Sequence, residues 1–319
     1  MKPILFMEPV LKENIWGGTR LIDEYGYSSL SGRIGECWGI CAHPEGDCIV
    51  KDGIYKGKNL SCLWKEEPSL FGNLKGDRFP LMIKMIDAKE DLSIQVHPDD
   101  DYAARQEKGA LGKTEGWYIM DCKEGATLIA GHNAKSRAEL KEMIEQGRWE
   151  ELICEIPIKK GDFIQIDPGT VHAIKGGTMV LEVEQNSDVT YRVYDYDRKV
   201  DGKLRPLRID KAVEVITVPT LPIEHVKRSS LNVVENEMCE LISCRYYVAW
   251  RLKLTDAVSL EQKYPFLILS VMRGEGTLNG QTIRKGDYLI LPAGFGQVKL
   301  KGNADIIVST VNKGEECYD

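Results

Sequence analysis

Two twelve-residue segments of the chain follow the same pattern, and this internal repeat constrains the fold more than any other feature. Residues 161–172 read GDFIQIDPGTVH, and residues 286–297 read GDYLILPAGFGQ. Each copy begins with Gly-Asp, continues through an apolar run and a proline, and has a second glycine eight positions after the first. Because turn residues that bound short apolar runs are typical of strands, the repeat predicts two related β units. His172 ends the first copy, whereas Gln297 holds the same place in the second.

Other segments also indicate a chain made mostly of short strands. Asn279-Gly280, in the middle of residues 277–283, predicts a hairpin, because Asn-Gly fits a type I′ turn. Many short strands with regular turns favour a barrel or a sandwich. Apolar runs of strand length occur at residues 127–130, 163–166, 179–183, 266–269 and 288–291.

Helix signals are few. The clearest helix should begin at Ser136, because Ser136 and Glu139 have the spacing of a capping box, and Gly147 is a plausible stop. Shorter helices are predicted near residues 100–108 and 210–216. The sequence therefore predicts a mainly β protein with a few short helices.

The composition limits the kinds of partner that the chain is expected to bind. The 319 residues carry 42 basic and 49 acidic side chains, for a net charge of −7, which disfavours nucleic acid or an anionic membrane as partner. The nine cysteines form no CxxC pair, which is typical of free thiols in a reducing compartment. The early charges argue against a signal peptide, and no apolar run approaches the ~20 residues of a membrane span. We expect a soluble cytoplasmic protein; its oligomeric state, monomer or weak dimer, stays open.

Three residues could hold a metal ion. His97 stands in Gln-Val-His-Pro after an apolar stretch, Glu115 follows Lys113-Thr114, and His172 ends the first repeat. Two neutral imidazoles and a carboxylate suit a catalytic divalent metal that keeps a coordination position open. If the three side chains converge, the sequence predicts a metal site.

Two resemblances follow from these motifs. The Gly, Pro, Gly and His spacing of the repeat resembles the second motif of the cupin superfamily, which consists of small jelly-roll barrels with a metal site in the mouth. The whole chain resembles the short bacterial branch of the type I mannose-6-phosphate isomerases. The motifs that carry this second resemblance are Asn14-Ile15-Trp16-Gly17-Gly18, Gly35-Glu36-Cys37-Trp38, Gln95-Val96-His97-Pro98 and Asp188-Val189-Thr190-Tyr191-Arg192.

The resemblance implies two cupin-type jelly-roll barrels, with short helices in or beside the N-terminal one. A Pro-rich stretch, Val218-Pro219-Thr220-Leu221-Pro222, precedes polar residues and looks like a linker. We therefore predict a catalytic, metal-binding domain over residues 1–222 and a C-terminal cupin-like domain without metal over residues 223–319.

The resemblance also implies a ligand set of Gln95, His97, Glu115 and His172 for one zinc ion per chain. Gln95 is the least secure ligand, because an amide oxygen is a weak donor to zinc and could instead contact the substrate or another ligand. Lys113 matches a lysine that the family places two residues before the glutamate. Arg192 would supply a fixed positive charge, since a guanidinium stays protonated at working pH.

The implied activity interconverts D-mannose 6-phosphate and D-fructose 6-phosphate through a cis-enediol. The base that moves the proton is open among Asp188, Lys113 and a metal-bound water. Arg192 and Lys113 are candidates for binding the phosphate, and Trp16 for lining the pocket. Two other functions stay in view: an Fe(II)-dependent cupin oxygenase that uses the same ligands, and a non-catalytic sugar-binding cupin.

Several conspicuous residues have structural interpretations. Trp38 is expected in the core, and the cysteines are expected to be small buried side chains. The three histidines outside the ligand set, His43, His132 and His225, are expected at the surface or in turns.

Overall fold

The computed structural model describes residues 2–222, 226–228 and 233–312, and strands form most of its regular secondary structure. This confirms the predicted mainly β class, whereas the two-barrel arrangement stays a prediction. Within the described ranges, no helix has the length and hydropathy needed to cross a bilayer.

The strands are short in the first two thirds of the chain and longer near its end. Up to residue 204 they are β1 (Leu5–Glu8), β2 (Val10–Lys12), β3 (Glu36–Ile40), β4 (Ile49–Val50), β5 (Leu81–Ala88), β6 (Ile94–Val96), β7 (Glu115–Asp121), β8 (Thr127–His132), β9 (Ile153–Pro157), β10 (Phe163–Ile166), β11 (His172–Ala173), β12 (Thr178–Gln185), β13 (Tyr191–Tyr194), β14 (Lys199–Val200) and β15 (Lys203–Leu204). The later strands are β16 (Lys227–Arg228), β17 (Met238–Ser243), β18 (Tyr247–Leu254), β19 (Ala257–Gln262), β20 (Phe266–Leu278), β21 (Gln281–Arg284), β22 (Tyr288–Pro292) and β23 (Gly296–Val311).

The helices are short. They are α1 (Arg20–Asp23), α2 (Leu60–Glu66), α3 (Asp100–Gln106), α4 (Arg137–Glu145), α5 (Trp149–Leu152) and α6 (Ile209–Val215). Two single 3₁₀ turns cover Gly53–Tyr55 and Pro68–Phe71.

The described chain divides into two compact units that interleave in sequence. Unit 1 consists of residues 2–12, 37–84 and 233–312, and unit 2 consists of residues 13–36, 85–222 and 226–228. Unit 1 takes in the N-terminal strand because β1 pairs with β22, with Leu5 opposite Ile290. Because the segments of the two units alternate along the sequence, no single boundary separates them. The domain boundary near residue 222 stays a prediction.

Unit 1 is built on a large antiparallel sheet. Its strand order is β17-β18-β23-β20-β22-β1-β4, with β19 on β23 and β21 on β20. Alternate residues of a strand point to the same face, so Leu267 with Leu269 and Leu289 with Leu291 contribute to one apolar cluster.

Unit 2 contains strands of two sheets. Four strands of one sheet follow the order β16-β10-β7-β12, and the other sheet has the order β13-β6-β11-β8-β9. Ile94 and Val96 of β6 belong to a buried cluster with Leu140 of α4. Because strand neighbours alternate, Gln95 points to the opposite face of the sheet from those two residues.

The predicted helices are confirmed with small shifts in their ends. The Ser136 side chain accepts a hydrogen bond from the Glu139 backbone N–H at 3.2 Å, so it caps α4 as the capping box predicts. The chain leaves α4 through Gly147, which has a φ of 66°. The two shorter helices predicted from the sequence correspond to α3 and α6.

The repeat is also present in three dimensions. Gly161 and Gly286 have φ values of 90° and 89°. The next residue, Asp162 or Asp287, accepts a backbone N–H from three residues earlier, at 3.0 Å and 2.7 Å. The predicted hairpin forms between β20 and β21, and Asn279-Gly280 both have positive φ, as a type I′ turn requires.

Some residue-level predictions need correction. His132 was expected at the surface or in a turn, but it is 2% exposed, and its Nε2 donates to the Thr217 carbonyl at 2.9 Å. His225 lies outside the described residues. Trp38 is buried as predicted. The prediction of buried cysteines is correct for Cys37, Cys41 and Cys48 and wrong for Cys62, which is exposed.

Candidate active site

The site lies in unit 2, where strand pairing aligns residues from distant parts of the sequence. In the second sheet, Gln95 of β6 lies opposite His172 of β11 on one side and Arg192 of β13 on the other. Side chains at directly paired positions share a face, so these three point the same way. In the first sheet, Glu115 of β7 lies opposite Glu184 of β12.

His97, Glu115 and His172 converge in the interior. His172 Nε2 lies 3.2 Å from Glu115 Oε1, and His97 Nε2 lies 3.4 Å from Glu115 Oε2. All three side chains are at most 1% exposed. Their ligand atoms all lie within 4.8 Å of one another, a spacing that can hold a metal ion.

Backbone carbonyls fix the orientation of both imidazoles. His97 Nδ1 lies 2.8 Å from the Val189 carbonyl, and His172 Nδ1 lies 2.9 Å from the Thr170 carbonyl. Because a carbonyl oxygen only accepts, each Nδ1 carries the proton and each neutral ring has its lone pair on Nε2. Lone pairs that face a carboxylate repel it unless a cation lies among them, so this donor set fits a divalent metal.

Electrostatics keep the donors in the forms that bind metal. Burial, together with the charge of Lys113, lowers the pKa of His97 to about 3, and burial also lowers the pKa of His172. Burial acts to raise the pKa of Glu115, but the Lys113 ammonium holds that pKa well below its usual range. Near neutral pH the site therefore presents two neutral imidazoles and one carboxylate.

Lys113 is buried beside the ligands and is 4% exposed. Its Nζ lies 3.0 Å from Glu115 Oε2 and 2.7 Å from Glu184 Oε2. Burial opposes its charge, yet these carboxylates raise the pKa of Lys113 well above the usual value. The sequence motifs do not indicate the buried carboxylates Glu182 and Glu184 as site residues. Their signal was available, because glutamates at alternate positions of an apolar strand share one face.

Gln95 takes part in a hydrogen-bond chain that joins Arg192 to His172. Arg192 Nε donates to Ser93 Oγ at 3.2 Å, and Ser93 Oγ donates to Gln95 Oε1 at 3.2 Å. The Gln95 amide nitrogen lies 3.3 Å from His172 Nε2. A half rotation of the amide would turn its oxygen toward His172, so direct ligation by Gln95 stays a prediction.

A cluster of guanidinium groups surrounds Arg192. Asp195 is 4% exposed and accepts from Arg198 Nη2 at 2.6 Å and from Arg205 Nε at 2.7 Å. Burial and the charges of Arg205 and Arg198 lower the pKa of Arg192, with Asp195 and Asp188 opposing them. Arg192 and the two guanidinium groups that bind Asp195 form a local positive region in a chain of negative net charge, and the sequence motifs indicate only Arg192 among them.

Two other predicted site residues lie in different surroundings. Asp188 is exposed in the loop between β12 and β13. Trp16 is 3% exposed and belongs to a buried cluster with Trp117 and Ile86. Its backbone carbonyl accepts from Lys89 N at 3.0 Å. The roles predicted for these residues in catalysis and substrate binding stay predictions.

The fold and the site together define a mainly β protein whose interior holds a His-Glu-His centre suited to a divalent metal. Comparisons with known proteins agree. A family model described as "Phosphomannose isomerase type I, catalytic domain" matches residues 4–142, and one described as "Mannose-6-phosphate isomerase, cupin domain" matches residues 237–311. Mannose-6-phosphate isomerase ManA of Bacillus subtilis is 49% identical over 316 residues, covering 96% of this chain and 98% of the relative.

Solved structures give the same result. A crystal structure of the mannose 6-phosphate isomerase from Bacillus subtilis superposes with a TM-score of 0.91 at 45% identity, over 97% of this chain and 100% of that one. A mannose 6-phosphate isomerase bound with zinc and yttrium shares the fold, with a TM-score of 0.74 at 16% identity over 97% and 99% of the two chains. The chain belongs to the type I phosphomannose isomerase family, and it functions as a mannose-6-phosphate isomerase.

Proposed function

We propose that the chain isomerises D-mannose 6-phosphate and D-fructose 6-phosphate with one zinc ion, moving a proton between C1 and C2 through a cis-enediol. The observation that carries this proposal is the buried donor set of His97, Glu115 and His172, whose two imidazoles direct lone pairs at the carboxylate. Bound there, zinc would act as a Lewis acid for the negative charge that develops on the sugar oxygens. Gln95 would be the fourth protein ligand after rotation of its amide.

Lys113 would act as a fixed positive charge. A general base must first lose its proton, and the raised pKa of Lys113 keeps the ammonium form. Its position 3.0 Å from Glu115 places this charge beside the ligand set. This disfavours Lys113 as the base.

Two carboxylates are then candidates for the base, beside the metal-bound water. Asp188 is exposed on the loop before β13, whereas Glu182 is buried and accepts from Trp117 Nε1 at 2.9 Å. An oxygen of Glu182 lies within 4.8 Å of one on Glu115. The pH dependence of kcat in Asp188→Asn and Glu182→Gln would distinguish the two carboxylates. A base must be deprotonated to act, so replacing it should remove the fall in kcat at low pH.

The phosphate group would bind on the Arg192 side of the site. Arg192 shares a sheet face with Gln95 and His172, and Arg198 and Arg205 add positive charge next to it. One guanidinium group can donate two parallel hydrogen bonds to the oxygens of a phosphate, which suits a dianionic sugar phosphate.

A coupled assay for fructose 6-phosphate, with metal analysis of the same sample, tests the proposal. We expect turnover of mannose 6-phosphate that disappears on chelation and returns with zinc. Consumption of O₂ that depends on Fe(II), without isomerisation, would instead favour an oxygenase. Sugar binding without turnover in the zinc-loaded protein would favour a non-catalytic cupin.

A further inference from the structure

A second group of acidic residues lies beside the proposed metal ligands. Glu115, Glu182 and Glu184 each offer a carboxylate oxygen, and these oxygens lie within 4.8 Å of one another. All three residues are at most 3% exposed. Carboxylates packed this closely in a dry interior require positive charge nearby.

The chain supplies that charge itself, through Lys113. The ammonium lies 2.7 Å from Glu184 and 3.0 Å from Glu115, and both contacts are buried. With neutral histidines, three carboxylates and one ammonium carry a formal charge of −2. A divalent cation bound at His97, Glu115 and His172 would bring this total to zero.

Gln185, which follows Glu184 in β12, holds the backbone next to Lys113. Gln185 Oε1 accepts from Thr114 N at 2.9 Å, and Gln185 N donates to the Thr114 carbonyl at 3.1 Å. Gln185 Nε2 also donates to Asp100 Oδ1 at 3.0 Å. Two consecutive residues of β12 therefore fix the segment that carries Lys113: Gln185 fixes its main chain, and Glu184 fixes its charged end.

We propose that Glu184 is a positioning residue that holds the Lys113 ammonium and provides its counter-charge, which leaves Glu115 available to the metal. Without Glu184, the ammonium would depend on Glu115, the carboxylate that the metal also needs. The inference rests on the proposed function, and it assigns Glu184 no contact with the substrate.

Substitution of Glu184 tests this through activity and zinc affinity. Glu184→Gln should lower kcat about 10- to 100-fold, change KM less than about threefold, and weaken zinc binding about tenfold in a chelator competition. Glu184→Asp keeps the charge and should stay within about tenfold of the unsubstituted kcat. Glu155→Gln is the matched control, because it removes an exposed ion pair with Lys175 of the same 2.7 Å length; it should leave kcat and zinc affinity unchanged.

A double variant shows whether Glu184 acts through Lys113. Adding Glu184→Gln to Lys113→Met should lower kcat by no more than about twofold beyond Lys113→Met alone, because the group to be positioned is already gone. This variant also removes both partners of the Lys113–Glu184 pair, and a divalent ion balances the two carboxylates that remain, so the zinc-loaded variant should fold even if Glu184→Gln does not.

Two results would overturn the proposal: unchanged kcat and zinc affinity in Glu184→Gln, or a further loss of about tenfold or more in the double variant. Absence of isomerase activity in the unsubstituted chain would refute the proposed function instead. The zinc competition would still decide the role of Glu184 in that case.

Discussion

The two copies of the Gly-Asp repeat make the same turn and strand, but they end in different surroundings. In unit 2, the copy at residues 161–172 ends in His172, which is fully buried against Glu115. In unit 1, the copy at residues 286–297 ends in Gln297, which is exposed. The shared backbone is therefore a scaffold, and the copy in unit 2 ends in a residue that joins the cluster of His97 and Glu115.

The interiors of the two units differ in the same way. The cluster inside unit 1 is formed by aliphatic side chains such as Leu267, Leu289 and Ile306. Unit 2 also has apolar clusters, but it buries His97, Glu115, Glu184 and Lys113 next to one another. Burying ionisable groups is costly unless they are paired or bind a metal, so chemistry is expected in unit 2 and packing in unit 1.

The largest difference between the copies should appear when each end residue is replaced by alanine. His172→Ala should lose zinc and lower kcat about 10³-fold or more, because an imidazole ligand is removed while the fold is kept. Gln297→Ala should change neither. Circular dichroism, metal analysis and the coupled assay check this, and a His172→Ala protein with full zinc content and normal turnover would contradict the ligand assignment.

Metal stoichiometry tests whether only one unit binds metal. Dialysis against a chelator should abolish turnover, and titration with zinc should restore it at one ion per chain, since among the described residues such a donor set occurs only in unit 2. Isothermal titration and elemental analysis measure the ratio. Two tightly bound zinc ions per chain would contradict the difference between the units.

An arginine from each unit allows a comparison of function with packing. Arg192→Lys should raise KM about tenfold, because an ammonium cannot make the paired contacts of a guanidinium with phosphate. Arg251 of unit 1 pairs with Asp305 through contacts of 2.9 Å and 2.8 Å. Arg251→Lys should leave the kinetics unchanged and lower the free energy of unfolding by about 1 kcal/mol. An equal rise in KM in both variants would contradict the difference in function between Arg192 and Arg251.

The smallest effect compares the second glycine of each copy. Gly294 has a φ of 65° and open space around an added Cβ, so Gly294→Ala should cost about 1–2 kcal/mol. Gly169 has a φ of 83°, and its Cβ would lie 2.9 Å from the Val215 carbonyl, so Gly169→Ala should cost about 3 kcal/mol or more. Gly169 N also donates to the His97 carbonyl at 2.9 Å, so zinc affinity should fall only in Gly169→Ala. Urea unfolding and zinc titration measure both effects.

Local patterns in the sequence predicted the local structure well. Ser136 with Glu139 gave the start of α4, and Asn279-Gly280 gave the hairpin, because such signals act over a few residues. The sequence did not indicate that β1 pairs with β22, since nothing in Leu5 specifies Ile290 as a partner. The cytoplasmic location and the partner classes stay predictions from composition.

The site was predicted only as far as the motifs extended. The sequence named His97, Glu115 and His172, and the structure brings them together. No sequence motif indicated Ser93, Glu184 or Arg205, because their roles depend on partners far away in sequence. The hydrogen bond from Arg192 to Ser93 spans 99 positions, and no local pattern encodes such a pair.

The pairing of β1 with β22 has a consequence for the order of events during synthesis. Leu5 leaves the ribosome well before its partner Ile290, which follows 285 residues later in the chain. The described segments of unit 2 are complete by residue 228, so that unit can fold while the last strands of unit 1 are still being translated. We therefore expect unit 2 to resist protease in nascent chains that stop after residue 230, in which β1 still lacks its partner β22.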